Sequence, residues 1–554
     1  MFVRVKTTKN SPRKSVQIVQ SVRKGDRISQ KIVRYVGVAH DDMELKQLKL
    51  LAESIKIKLE AGNQNLLFSP EEIAKETQKA NDRKATECED DYTVNLKHIK
   101  EEQRVISGIH DIYGHLFDEL GYGNIIKNPA RNKTSIEIFK HIVLARIANP
   151  VSKKASVNML DEDFGIRLNL DKVYQMMDKL DDTAITQLNR QSYENTRRLF
   201  NEKIDIIFFD CTTLYFESFD EDELKENGYS KDLKFGQPQV LFALMVTTEG
   251  LPVGYEIFKG STYEGHTLIP QIKEFKKKYD IDKIVFVADA GMMNTDNLNA
   301  LESENMDYIV GCRLKGLPKP LKDKIIDHAT FTDINEDYKI GEFEHNGNKV
   351  IVSYSAKRAR KDAYDRQKNI EKVKKMIRKQ TNPKAYLSNF GYKKYLAITQ
   401  GSKIEINESK IELDAKWDGL HGVITNVSRL SNQDILTHYN NLWHVENAFR
   451  ITKHDLKVRP IYHWSPKRVK AHLAISFTAY SLVKYLEYRV KLQYISLSPE
   501  KIRQALISVQ TSIIFDTVKR FRYALPSSLS KHAKKIYAIF SLSRPTTPFI
   551  IKKM

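Results

Sequence analysis

Three acidic residues stand where hard oxygen donors could gather. Asp210 follows the strand-like run Ile204–Phe209, and Asp289 follows Ile284–Ala288. Glu446 interrupts the apolar stripe of a helical pattern that reads Ile435, Tyr439, Leu442, Trp443, Glu446, Phe449, Arg450, Lys453. Carboxylates carried by two strands and a helix can hold a pair of Mg²⁺ ions for in-line displacement at phosphorus. An aspartate at a strand end also commonly caps a turn, so Glu446 carries more weight. Tyr439 and Lys453 stand seven residues to either side of it, two helical turns, so the spacing predicts one shared face. Leu442, Trp443 and Phe449 are expected to pack inward from that face, and a glutamate among them needs a metal or a base as compensation. An ion pair with Lys453 is the structural alternative. The chain has no Gly-rich phosphate loop, no HExxH and no metal-spaced cysteines, so neither ATP nor zinc chemistry has support.

The elements that must position these residues lie mainly in 204–314, where strands and helices alternate. After the Asp210 strand come Val240–Val246, the turn Glu249–Pro252, and Val253–Phe258, which read as a hairpin. A helix over His266–Tyr279, the Asp289 strand, a further helix and Tyr308–Cys312 follow. This order predicts a mixed sheet with both aspartates at strand ends, where ligand sites of such sheets gather. The next strand, Gly422–Asn426, comes only after about a hundred residues of different texture. That insertion holds strand candidates at Lys349–Tyr354 and Tyr395–Thr399. It also holds a helical stretch, Lys357–Lys379, with eleven Lys or Arg against three acids. Ile370, Val373 and Ile377 have helical spacing there, which leaves Lys372, Lys374 and Lys375 for phosphates or for solvent.

At 554 residues the chain exceeds one core, and 41% hydrophobic content is enough to build several. A net charge of +20 favours a polyanionic partner, above all nucleic acid. Cys88, Cys211 and Cys312 are too few and too scattered for a disulfide framework. Met1–Lys6 alternates like a strand, and the apolar run Leu473–Val483 is too short to span a bilayer. A cytoplasmic, nucleoid-associated protein without membrane contact is expected. The expected divisions are 1–100 (a basic β-meander over 1–37, a helix from Met43 to Leu59, and a linker turning acidic at Glu87–Asp91, together reading DNA ends), 101–200 (helical, with helices at Ser135–Ala148 and Leu170–Leu180), 201–314 (first part of the α/β core), 315–421 (insertion), 422–490 (second part of the core) and 491–554 (helical).

At its candidate site the chain resembles the DDE transposases of bacterial insertion sequences, in the branch with a Tyr–Arg–Glu–Lys signature and a β-rich insertion before the Glu. The matching motifs are Phe209–Thr213, Ala288–Met292, and Tyr439, Glu446 and Lys453 followed by Arg459-Pro460-Ile461. Ala145–Pro150 and Ser152-Lys153 are similar as well. The likeness covers roughly residues 130–485, with the motifs in order. Leu442 occupies the signature's Arg position, with Arg450 on the same face, and Ala290 stands where relatives commonly carry Arg. The resemblance implies a ribonuclease-H-like core and two Mg²⁺ ions, with Mn²⁺ as a substitute, held by Asp210, Asp289 and Glu446. It also implies cut-and-paste transposition at terminal inverted repeats by a homodimer in a synaptic complex with double-stranded DNA; some relatives use a hairpin intermediate. Lys453 would hold a phosphate near the cut, and Tyr439 would support the strand. Trp443 either packs or stacks on an unpaired base. The alternatives are a nuclease without strand transfer and an inactive DNA-binding relic or repressor.

Overall fold

Alternating apolar and polar residues near the start of the chain form a three-stranded antiparallel sheet of β1 (Phe2–Thr8), β2 (Ser11–Lys24) and β3 (Arg27–Ala39). The computed structural model describes residues 1–8, 11–24, 27–61, 94–199, 204–217, 220–228, 236–262, 269, 284–292, 294–328, 330–378, 394–399, 403–459 and 461–551. Helix α1 (Asp42–Ala61) lays Leu45, Leu48, Ala52 and Ile55 over Val3, Val5, Val16 and Ile18, closing a small core. These elements belong to the first of two units, Met1–Ile99 and Lys100–Met554. The acidic linker expected at Glu87–Asp91 lies outside the described residues.

Strand β4 (Ile99–Ile106) leads into the second unit, which then turns helical: α2 (Lys133–Ala148), α3 (Lys153–Phe164), α4 (Leu170–Met177) and α5 (Asp182–Leu199). Extended Asn149, followed by Pro150, ends α2, because proline disfavours helical backbone in the residue before it. Ser152 caps α3 by accepting from the Ala155 amide, and Gly165, left-handed at φ 67°, closes it.

The nine-stranded sheet that carries the aspartates has the order β10-β11-β12-β15-β9-β8-β5-β6-β7. Its elements are β5 (Ile206–Tyr215), β6 (Gln239–Val246), β7 (Pro252–Lys259), β8 (Val285–Ala288), β9 (Asp307–Cys312), β10 (Phe331–Asn335), β11 (Tyr338–His345), β12 (Asn348–Ser355) and β15 (Leu420–Thr425). β5, β8 and β9 run parallel, and the remaining pairs are antiparallel, so the mixed sheet expected from the hairpin and strand–helix–strand order is present. The helix expected at His266–Tyr279 is outside the described residues apart from Ile269. The inserted hairpins do not stand apart: β12 pairs with β15 and extends the same sheet. Helix α6 (Ala356–Arg378) then buries Ile370 and Val373 against Tyr395 and Leu396, beside a separate pair, β13 (Leu396–Thr399) and β14 (Lys403–Ile406).

The chain then forms α7 (Asn432–Asn440), α8 (Trp443–Arg450) and α9 (Pro466–Gln493). α9 is buried from Ala471 to Leu486, which explains its apolar run without a membrane. Among the described residues no helix is long and apolar enough to cross one. The region 491–554, expected to be helical, is mixed. Between α10 (Pro499–Ile507) and α11 (Lys531–Ile539) lie β16 (Gln510–Asp516) and β17 (Arg522–Pro526), followed by β18 (Phe549–Ile551). They form a second sheet in the order β18-β17-β16-β4, so β4 is a strand where 101–200 was expected to be helical throughout. Its partner, β16, lies some four hundred residues downstream, which local periodicity cannot register.

Candidate active site

Strand alternation decides which face each aspartate serves. Ile206, Phe208 and Leu214 of β5, with Val285 and Val287 of β8, enter the apolar cluster beneath α8 and α9; Ile207, Phe209 and Cys211, with Phe286 and Ala288, enter the opposite one. Asp210 and Asp289 share the parity of the first set, so both are on the sheet face that α8 covers. They are also neighbours across the strands. The last parallel pair is Phe209 with Ala288, so the next position along each strand is one of the two aspartates. Adjacent strands lie about 4.8 Å apart. The sequence pattern predicts that Asp210 ends its strand, and it does not. β5 continues to Tyr215 through antiparallel pairing with β6, and only its parallel partner stops. Each aspartate accepts from the amide that follows it, Cys211 N at 2.7 Å and Ala290 N at 2.6 Å.

Tyr439 reaches Asp289 from α7, which packs on β8 and β9. Its phenol donates to the Asp289 carboxylate; burial first, then the charge of Asp289, holds its pKa well above the ordinary value. The hydroxyl is seated over Gly311 of β9, where an added Cβ would come within 2.3 Å of it and 2.8 Å of the Ala290 amide. The His421 ring, 5.2 Å from the Tyr439 ring, is held near pKa 4, mainly by burial and then by the charge of Arg358. Periodicity flags neither Gly311 nor His421. A glycine within the strand-like run Tyr308–Cys312 is the one available signal, since it marks a close approach.

The helix of Glu446 differs from the continuous one expected. α7 ends at Asn440, and α8 begins after a joint in which Leu442 N, His444 N and Val445 N bond three residues back. The tighter winding rotates the second segment relative to the first, so seven-residue spacing no longer puts Tyr439 and Glu446 on one stripe. Val445, Ala448 and Phe449 pack inward, with Phe449 6.3 Å from Phe242 of β6 and His444 6.1 Å from Phe208 of β5. Glu446 is exposed on the flank and is not on a packing face. Leu442 is buried as expected, but Trp443 is 51% exposed and stacks on His444 at 3.9 Å. Core packing is therefore not its role. Arg450 donates to Asn447 and pairs with Asp455 at 3.3 Å within its own segment. Half-buried Lys453 follows on a π-turn, Ile451–Asp455, closed by Leu456 N on Ile451 O at 2.8 Å.

The fold thus brings Asp210, Asp289, Tyr439 and the Glu446 helix to one face. Among the described residues, however, no three acidic, His or Cys side chains meet at distances that would hold an ion. As a donor set the trio suits Mg²⁺, since all its ligand atoms are carboxylate oxygens. Lys372, Lys374 and Lys375 are exposed on α6, away from its packed side. Trp417 packs against the apolar cluster of the opposite sheet face.

Residues 3–65 match the N-terminal domain of IS1634 family transposases. Among solved structures the chain is similar to a piggyBac transposase synaptic complex with hairpin DNA, at 10% identity over 72% of this chain and 76% of that one, with a TM-score of 0.34. It is also similar to a Mos1 transposase paired-end complex with left transposon end, at 14% identity over 48% and 77%, with a TM-score of 0.14. TM-scores this low carry no structural weight. The comparison with curated proteins found no match. Residues 201–482, half of the chain and the whole of the region just described, match the transposase DDE domain, and the chain belongs to that family of insertion-sequence transposases.

Proposed function

We propose that the protein performs cut-and-paste transposition of an insertion sequence, with a ribonuclease-H-like core of the Tyr–Arg–Glu–Lys branch. In this reading Asp210, Asp289 and Glu446 hold two Mg²⁺ ions. The observation that carries it is that Asp210 and Asp289 each directly follow the last paired residues, Phe209 and Ala288, of two parallel strands, on the face covered by the Glu446 helix. The strand order β7-β6-β5-β8-β9, three antiparallel strands followed by two parallel to β5, supports a ribonuclease-H-like core. When bound, the two ions activate a water or a 3′-hydroxyl and neutralise charge on the departing oxygen. Asp210 and Asp289 supply ligands from the rigid sheet, and Glu446 supplies one from a helix that must close the remaining gap. Tyr439 keeps its proton at neutral pH and so fixes the orientation of Asp289. Lys453 and Arg450 flank the scissile phosphate, Lys372, Lys374 and Lys375 track the flanking backbone, and exposed Trp443 offers a ring to an unpaired base. Residues 1–100 read the inverted repeats, two copies hold a pair of ends in a synaptic complex, and the protein works in the cytoplasm on the nucleoid.

The test uses DNA carrying the inverted repeats that flank the gene. Asp210→Ala, Asp289→Ala and Glu446→Ala should each abolish Mg²⁺-dependent cleavage and keep end binding within a few-fold, since phosphate contacts dominate affinity. Substantial cleavage by any one variant removes that residue from the site. Wild-type protein should also join pre-cleaved ends to target DNA. Cleavage without joining would make it a nuclease, and binding without nicking a repressor.

A further inference from the structure

Two sequence stretches far apart in the chain, Arg146–Lys154 and Lys457–His472, line one cavity of about 420 Å³. Its walls carry Arg146, Lys153, Lys154, Lys457, Arg459 and His472, and none of the described lining residues is acidic. Arg146 and Lys153 are each only 4% exposed. Arg146 spends one terminal nitrogen on the carbonyls of Leu456 and Lys457, at 2.8 and 3.1 Å, while its buried Nε has no partner. Lys153 Nζ has His472 Nδ1 at 3.4 Å, a weak partner for a buried ammonium. Asp178, which caps the helix that carries Tyr174 of the lining, is already taken up by two nitrogens of Arg468, Nε and one Nη, at 3.0 and 3.2 Å. The amino end of α3 opens here at Ser152 and adds the positive pole of a twelve-residue helix. At the rim stands Tyr462, 63% exposed, with Trp464 two residues on at 72%.

We infer that this cavity is a phosphate-binding subsite for one strand of the transposon-end DNA, with Tyr462 and Trp464 as stacking surfaces for the base beside that phosphate. The inference rests on the transposase reading above and adds a site away from the trio. Buried cations without an acid cost desolvation that an oxyanion would offset. Burial, and the charge of Arg146 after it, drive the Lys153 amine toward its neutral form, a penalty that an entering phosphate reverses. Exposed rings beside a cationic groove are the usual means of holding single-stranded nucleic acid. Arg459 lies 4.7 Å over the ring of Tyr215, which ends β5 five residues past Asp210. At about 3.3 Å per strand residue, Tyr215 stands roughly 17 Å along the strand from Asp210. Arg146 also ties the pocket to the segment that follows Lys453, through the carbonyls it holds.

The test uses the full chain and a duplex bearing one element end, with single methylphosphonates walked along each strand. One position should weaken wild-type binding several-fold. That penalty should vanish in both Lys154→Gln and Arg459→Gln, each of which should also lower the slope of log affinity against log salt by about one unit. Tyr462→Ala and Trp464→Ala should each lower affinity by about tenfold and remove the quenching of a 2-aminopurine placed beside that phosphate. Melting curves on all four rim variants, expected to match wild type, show that they fold. A penalty that persists unchanged in both charge variants overturns the subsite. Inorganic phosphate that raises the melting temperature of wild type but not of the variants, with no sensitive methylphosphonate position, assigns the pocket to a free anion and overturns the DNA assignment. Wild-type protein that cuts normally while these arms fail leaves the transposase reading standing; failure of wild type to bind the end overturns both.

Discussion

Gly311→Ala should damage the site through Tyr439. The new methyl would stand 2.3 Å from the Tyr439 hydroxyl and 2.8 Å from the Ala290 amide, well inside ordinary contact. The hydroxyl can retreat by about 1 Å only by leaving Asp289, and the Ala290 amide is backbone with little room to yield. Overpacking of this kind costs about 1–3 kcal/mol, and losing a hydrogen bond to a charged group adds roughly 1.5 kcal/mol, the low end because Asp289 is exposed. The variant should therefore be about 2.5–4.5 kcal/mol less stable in denaturant unfolding, and cleavage should slow because Asp289 loses its phenol donor. Tyr439→Phe removes the same hydrogen bond without the clash. In the double variant Gly311→Ala/Tyr439→Phe the closest contact no longer exists, so it should be more stable than Gly311→Ala alone by at least about 1 kcal/mol, a coupling that a mutant cycle measures directly. Penalties that simply add would refute the seating of the hydroxyl on Gly311. Normal cleavage by Tyr439→Phe would refute its role in orienting Asp289.

Changing Lys372, Lys374 and Lys375 to Gln should leave the melting curve unchanged, because Ile370 and Val373 carry the packing of α6; it should lower the salt slope of DNA binding by up to about one unit per lost phosphate contact, and an unchanged slope would make these lysines a solvated face. Trp443→Ala should likewise keep its melting temperature, since the ring is 51% exposed, and should slow the strand-opening step more than the first nick; a destabilised variant with all steps reduced together would sink the stacking role. His421, His444 and His463 are each held near pKa 4 against an ordinary 6.5, chiefly by burial. The unfolded chain therefore takes up protons first as pH falls, so the stability present above pH 6.5 should decline progressively toward pH 4, and His444→Gln should flatten that decline in unfolding measured across the window.

Much of the catalytic sheet is legible in local patterning. The near-continuous apolar runs Ile204–Phe209 and Ile284–Ala288 mark two buried strands, and their parallel pairing brings the two aspartates beside each other. The helix that follows is less legible. Leu442 and Trp443 belong to one apolar stripe on paper, yet consecutive helical residues point about 100° apart; one is buried and the other faces out. Asn440 and Asn441 mark the break between α7 and α8, since asparagine competes for backbone hydrogen bonds, but continuity of the stripe outweighs them when only spacing is visible. The β4–β16 pairing is beyond local reading, because an isolated strand pattern gives no sign of its partner. The cavity at Arg146 is of the same kind: two basic segments read as unrelated until the fold faces them.

In the proposed reading, the way the inserted hairpins join the main sheet would make the protein a ruler. From β12 to β8 there are three strand steps, through β15 and β9, or about 14 Å at 4.8 Å each. α6 leaves directly from the end of β12 and spans twenty-three residues, about 35 Å at 1.5 Å per residue. Its lysines are therefore carried on a helix that continues directly from the hydrogen-bonded sheet in which β8 leads to Asp289. A backbone phosphate gripped by Lys372 or Lys375 would sit at a set offset from the phosphate being cut, so the spacing between footprint and cleavage point should be constant from one DNA end to another. Lengthening α6 by one turn would shift that footprint by about 5 Å while the cut stays where it is.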